Sequence, residues 1–221
     1  MKKVFLVLCA VSLIIGMASF SWAETFHGVN FPGGIASFAD EVVSYDPVTY
    51  GTTNQYPTER TPSEALGAPD YSEGVGYDYV TLGDGGFLTL KFTDNSLSGS
   101  GSNAKDLWIF EIGGDVEDTF VWISKNGINW SSVGKVTGGT LGIDIDAYGF
   151  GIADRFSFIR LQDDPNEGQN SGEGSTAGAD IDAVGAISSA PPVQQAPEPA
   201  TLLLLGLGMM GLAGLRRKIQ K

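Results

Sequence analysis

The residues best suited to chemistry are the acids between Asp163 and Asp182. Asp163-Asp164-Pro165-Asn166-Glu167-Gly168 opens a glycine-rich stretch that returns through Gly172-Glu173-Gly174 to Asp180-Ile181-Asp182. Calcium takes about six to eight hard oxygens from carboxylates, amides and carbonyls, and a flexible acidic loop supplies them. An EF-hand does not fit, because with Asp164 in first place Gly168 falls one position early and Ser175 stands where the closing Glu belongs. Asp180 and Asp182 alternate with Ile181, so both are expected to point out of the core side by side, where two carboxylates repel unless a cation or a proton intervenes. Two readings stay open for this run: a structural Ca2+ site using Asp163, Asp164, Asp180 and Asp182, or a solvated acidic loop. Asp106 is a further metal candidate. It cannot share an ion with Glu111, which lies at the other end of the same expected strand, ~16 Å away at ~3.3 Å per residue.

Flat aromatic rings stack on sugar faces, and Trp108, Trp122 and Trp130 are available for that. Trp108 and Trp122 are expected in the core. Trp130 follows a hairpin tip and is the ligand-binding candidate. Catalysis has little to work with. His27, the single histidine, stands near the mature N-terminus in an expected flexible leader. Gly83-Asp84-Gly85-Gly86 lies between two strands without a following helix, so it is no phosphate loop. A glycosidase needs only two carboxylates, but the acids cluster in glycine-rich loops and not against the apolar walls that tune an acid. The chain is therefore read as non-enzymatic, with no catalytic residue assigned.

The elements that must position these residues are strands. Phe87-Leu88-Thr89-Leu90-Lys91-Phe92 and Phe156-Ser157-Phe158-Ile159-Arg160-Leu161 alternate apolar and polar positions, one face buried and one wetter. Similar runs cover 35–45, 77–82, 106–112, 119–124, 129–133, 141–145 and 181–187. Lys125-Asn126-Gly127 signals a hairpin, with Asn-Gly suited to a type I′ turn. With 31 glycines and no helical periodicity, residues 24–188 read as one all-β domain, a two-sheet sandwich.

The two ends differ from this middle. Met1-Lys2-Lys3, the apolar run from Val4 to Ala18 and the small residues of Ser21-Trp22-Ala23 form a signal peptide over 1–23, cleaved by signal peptidase after Ala23. Cys9, the single cysteine, leaves with it, so the mature protein has no disulfide or thiolate. Lys2, Lys3, Arg216, Arg217, Lys218 and Lys221 take nearly half of the 13 basic residues to the ends, while of 26 acidic residues Glu198 alone lies beyond 24–197. The whole chain has a net charge of −13, and residues 24–197, with 7 basic and 25 acidic residues, carry −18, a surface that repels nucleic acid and attracts divalent cations. Residues 189–199 form a proline-rich linker holding Pro197-Glu198-Pro199. Ala200 to Leu215 carries no charge and precedes Arg216-Arg217. As a helix it reaches ~24 Å at ~1.5 Å per residue. Snorkelling of the basic end makes that enough for a membrane anchor, with the arginines cytoplasmic and the domain outside.

This ordered tail resembles the PEP-CTERM sorting signal of Gram-negative bacteria. The resemblance implies processing near Pro197-Glu198-Pro199 by an exosortase-like enzyme. It also implies passage through the inner membrane to the cell surface or an exopolysaccharide-rich matrix. The middle resembles a discoidin-like, or galactose-binding-like, jelly roll. The residues that carry this are Ala65-Leu66-Gly67-Ala68-Pro69-Asp70, Val80 to Gly86, Asp106 to Glu111, Val121 to Trp130 and Gly178 to Val184. That architecture hosts glycan-binding, calcium-stabilised and purely structural modules. Ser124 to Trp130 is also similar to an Asp-box hairpin, but Asn126 stands in place of the aspartate, the spacing is one residue short, and no repeat array follows. The function expected from the whole is an exported matrix protein that associates with exopolysaccharide. A self-assembling surface protein without a glycan ligand and a polysaccharide hydrolase are the alternatives.

Overall fold

A computed structural model describes residues 22–48, 60–73, 78–113, 117–166 and 178–192. Among them there is no α-helix; the chain is strands with short 3-10 turns. Five strands make one antiparallel sheet in the order β3 (Glu41–Asp46), β5 (Phe87–Lys91), β11 (Phe158–Asp163), β8 (Asp118–Ser124) and β9 (Trp130–Thr137). Four make the second: β10 (Thr140–Ile143), β7 (Leu107–Glu111), β12 (Asp180–Ala186) and β4 (Val80–Thr81). Apart from the β8–β9 hairpin, neighbours in both sheets are not consecutive in sequence, as expected for a jelly-roll type β-sandwich. The expected all-β sandwich is the one observed.

Alternation decides which residues fill the space between the sheets. Leu88, Leu90, Val121, Ile123, Ile159 and Leu161 from the five-stranded sheet meet Val80, Leu107, Ile109, Ile181 and Val184 from the other, all buried. Each fully buried aliphatic side chain contributes about 1.5–3 kcal/mol through surface removed from water. This is the main core.

A second apolar layer lies on the far side of the four-stranded sheet. β1 (Glu24–Phe26) and β2 (Val29–Phe31) form a hairpin, and the 3-10 turn Gly34–Ser37 follows it. Phe31, Phe38, Phe110 and Ala183 are buried together there, with Phe26 and Trp108 packed against them. The ring centroids of Phe31 and Phe38 are 4.6 Å apart. Gly185 makes this possible, since a Cβ there would meet Phe31 Cε1 at 2.7 Å and Phe38 Cε1 at 2.8 Å. The leader therefore is not flexible, as the sequence had suggested. His27 (φ 45°) and Gly28 (φ 81°) form the two-residue turn, and the His27 ring sits edge-on to Phe110 at 5.9 Å.

The Asn126-Gly127 hairpin forms, but not as the expected type I′ turn. Five residues join the paired Ser124 and Trp130, and of the pair Gly127 alone has positive φ (71°). Side chains replace the tight turn: Asn126 Oδ1 accepts from the amides of Ile128 and Asn129, both at 2.9 Å, and Ser124 Oγ accepts from Gly127 N at 2.9 Å. At the other end, β6 (Ser96–Leu97) pairs with β13 (Ser189–Ala190), and Ser96 Oγ donates to Pro191 O at 3.0 Å. Sheet pairing thus holds the chain up to the start of the proline-rich linker. The signal peptide up to Ser21 and the tail from Val193 lie outside the described residues; Ala23 is exposed just before β1.

Replacing Gly185 with alanine should force both phenylalanine rings to shift and destabilise the domain by about 1–3 kcal/mol. Urea denaturation of the glycine and alanine forms checks this; equal midpoints would mean that the second layer is loose.

Candidate functional site

The outward residues of the five-stranded sheet fall into three rows set by strand register. The first runs Glu41, Lys91, Phe158, Ser124, Trp130. The second runs Ser44, Thr89, Arg160, Trp122, Ser132. The third runs Asp46, Phe87, Gln162, Phe120, Lys135. Trp122 is therefore not a core residue: alternation along β8 sends Val121 and Ile123 inward and Phe120 and Trp122 outward, both half-buried.

Cations lie against the rings on this face. Arg160 Cζ is 4.2 Å from the Trp130 ring centroid, Lys135 Nζ is 5.5 Å from that of Phe120, and Lys91 Nζ is 5.9 Å from that of Phe158. Such contacts hold ring and cation in mutual register. Phe120 and Trp122 pack with centroids 5.9 Å apart. Arg160 Nε also donates to Thr89 Oγ1 at 3.2 Å, which fixes the guanidinium. Lys91 pairs with Glu41 at 2.7 Å. Lys135 pairs with Asp118 and, at 3.0 Å, with Asp164. Beside the first row a groove of about 490 Å³ opens, lined by Lys91, Thr93, Lys125, Asn126, Phe158 and Pro192. Trp130 is thus half-buried, with Arg160 over its ring, in a larger aromatic and cationic surface. The sequence singled out this one ring and missed the platform, because the register that aligns four strands is not written in any one of them.

The acids of the 163–182 run have separate employments. Asp163 is buried; its Oδ2 accepts from Gly85 N and its Oδ1 from Ala179 N, both at 2.8 Å. Burial raises its pKa in spite of these bonds. Asp164 accepts from Lys135 Nζ and, at 3.0 Å, from Asn166 N, and these bonds lower its pKa. Asp180 accepts from Thr81 Oγ1. Asp182 stands at a β-bulge between Ile181 and Ala183, and its Oδ1 accepts from Asp70 N at 3.2 Å and Tyr71 N at 3.3 Å. Asp180 and Asp182 are both buried, contrary to the outward pair expected, because β4 and residues 70–71 cover them. Each of the four carboxylates ties a different pair of segments. The stretch 167–177 lies outside the described residues.

Asp106 has different company. The carboxylates of Asp106, Asp144 and Asp146 each offer an oxygen within 4.8 Å of the other two. Sequence reasoning missed Asp144 and Asp146; their place in Asp144-Ile145-Asp146, directly after a short strand, was the available signal.

Ionisation of two other buried acids is hindered. Burial, then the neighbouring Glu117, pushes the Glu111 carboxyl well above its usual range. Burial pushes Asp182 up to about 7, with Asp70 and Asp78 adding to it. An acid raised in the folded state contributes stability that is complete below its unfolded pKa and is lost as pH rises through the folded one. In the absence of divalent cations, the part of folding stability that Asp182 carries, roughly 2–4 kcal/mol, should therefore be lost as pH rises from about 4 to about 7. The Asp182→Asn form, which keeps an oxygen for the two amides, should show a shallower slope in denaturant titrations; an identical slope would remove Asp182 as the cause.

Three comparisons bear on identity. The PEP-CTERM protein-sorting motif matches residues 195–218. A comparison with curated proteins gave no match. Among solved structures, the chain is similar to the C-terminal domain of a chitobiase from Bacteroides fragilis, at 13% identity and a TM-score of 0.30. That likeness covers 45% of this chain and 60% of the other, so this chain spans less than two thirds of that domain. The motif agrees with the tail read from Pro197-Glu198-Pro199 and Arg216-Arg217, and it implies an exported protein that an exosortase-like enzyme processes and that is sorted to the cell surface.

Proposed function

We propose that the exported domain holds polysaccharide of the surface matrix on the outer face of its five-stranded sheet, without turning it over. The observation that carries this reading is the alignment of Phe120, Trp122, Trp130 and Phe158 in adjacent register rows, with Arg160, Lys91 and Lys135 against three of the rings. Sugar rings present apolar C–H faces and peripheral hydroxyls. A surface that binds them needs flat rings for the faces and fixed polar groups for the edges. Ser132, Gln162 and the cations supply those edges. The arrangement suits an extended chain, because the rows continue across four strands where a single sugar would need an enclosed pocket.

A non-enzymatic role agrees with the placement of the acids. Glu111 and Asp182, whose ionisation is hindered, belong to the four-stranded sheet, and Asp163 points inward. The protein reaches the matrix of a Gram-negative bacterium after Ala200 to Leu215 has held the chain in the inner membrane with Arg216 and Arg217 on the cytoplasmic side.

Two measurements test this. Exopolysaccharide from the producing bacterium, immobilised and challenged with the mature protein, should retain the wild type, and Trp122→Ala should bind at least about tenfold more weakly, equivalent to ~1.4 kcal/mol. Equal retention of both forms, or of neither, would remove the face from the account. Cells whose protein lacks residues 200–221 should release it unsorted into the medium; unchanged surface placement would contradict the anchor.

A further inference from the structure

We propose that Asp106, Asp144 and Asp146 form a calcium site that clasps two loops at the end of the sandwich. The site uses none of the residues of the aromatic face. Asp106 is fully buried immediately before β7, and its Oδ2 accepts from Ile145 N at 2.9 Å. No hydrogen bond reaches its Oδ1 among the described residues. A buried carboxylate oxygen without a partner is costly, and native structures rarely leave one so. Two neighbouring carboxylates each bring an oxygen within 4.8 Å of one of the Asp106 oxygens, and a shared cation would satisfy this carboxyl.

The spacing suits calcium. Ligand oxygens lie about 2.3–2.6 Å from the ion, so two oxygens across one ion are separated by at most about 5 Å. The three carboxylate oxygens lie within 4.8 Å of one another. All three ligands are hard oxygens, and no nitrogen or sulfur donor belongs to the group. No ion pair joins a lysine or arginine to any of the three among the described residues. The adjoining hollow is lined by Ser102 and Asn103, whose side chains offer further oxygens, and by Gly101 and Ala147. Asp146 already fastens the loops, since its Oδ2 accepts from Ser100 N at 2.9 Å and from Gly101 N at 3.1 Å. Asp144 Oδ1 accepts only a long bond, from Ala147 N at 3.3 Å, which leaves its carboxylate the most available of the three. An ion bound here joins residues 100–103 to the turn Asp146–Tyr148 and to Asp106, the residue just before β7.

The mature protein, stripped with EDTA and titrated with CaCl2 in a calorimeter, should bind calcium, and its melting temperature should rise with added calcium. Asp144→Asn removes a ligand on the partly exposed side and should fold normally; its calcium affinity should fall at least about tenfold. Asp106→Asn should lose binding as well, with melting in EDTA as the check that it has folded. Asp163→Asn, outside the cluster, should keep the wild-type affinity for any site that depends on Asp144. Absence of a calcium-dependent heat and melting shift in the wild type would overturn the proposal, and so would wild-type affinity in Asp144→Asn.

Discussion

Gly185 faces Trp108 in the middle of the four-stranded sheet, and its missing side chain lets Phe31 and Phe38 lie directly on the backbone. That contact organises much of the rest. It brings the hairpin of residues 24–31 over the outer face of the sheet, so this sheet is covered on both sides. The five-stranded sheet is packed on its inner side by the main core and keeps half-buried aromatic residues on its outer side. Covering one sheet twice and the other once gives the sandwich two unlike outer surfaces, and the glycan reading depends on that asymmetry.

Charge follows the same division. Acids dominate the chain, yet the outer face gathers Lys91, Lys135 and Arg160 against its rings. Lys91 and Lys135 are neutralised by carboxylates at the rim, whereas Arg160 is held by Thr89 and by the indole of Trp130. The face is therefore close to neutral within an acidic protein. Near-neutrality suits the proposed contact with a polysaccharide, since an unshielded acidic surface would repel any chain that carries negative charge. The remaining acids act on the fold itself. Asp163 joins the loop at Gly85 to the start of β12, and Asp182 holds residues 70–71.

How much of this the sequence disclosed depends on the range of the interaction concerned. Alternation over Phe87 to Lys91 and Phe158 to Asp163 is local, and both strands formed where expected. The same logic applied to Phe120 to Ile123 assigns the side of each residue correctly once Val121 is known to be inside; Trp122 was placed in the core because large aromatics usually go there. Three-residue strands such as Val29–Phe31 are too short to carry a period, so the second layer was invisible. Asn126-Gly127 marked the hairpin but not its geometry, since Ser124 and Asn126 side chains replaced the backbone turn. Asp106 was recognised as a metal candidate without its partners, because antiparallel pairing of residues 140–143 with 107–110, and not sequence spacing, carries Asp144 back to it. The sorting motif, by contrast, was legible from its residues alone: an ordered motif read by an enzyme needs no tertiary contact to be recognised.

Side-chain footprinting of the mature protein, with and without the producing organism's exopolysaccharide, tests the central claim most directly. Bound polysaccharide should protect Trp122, Trp130 and Phe158 from covalent labelling and leave exposed Ile152 and Tyr148 as reactive as before. Unchanged labelling of the three rings under conditions where the polysaccharide is bound would contradict the account.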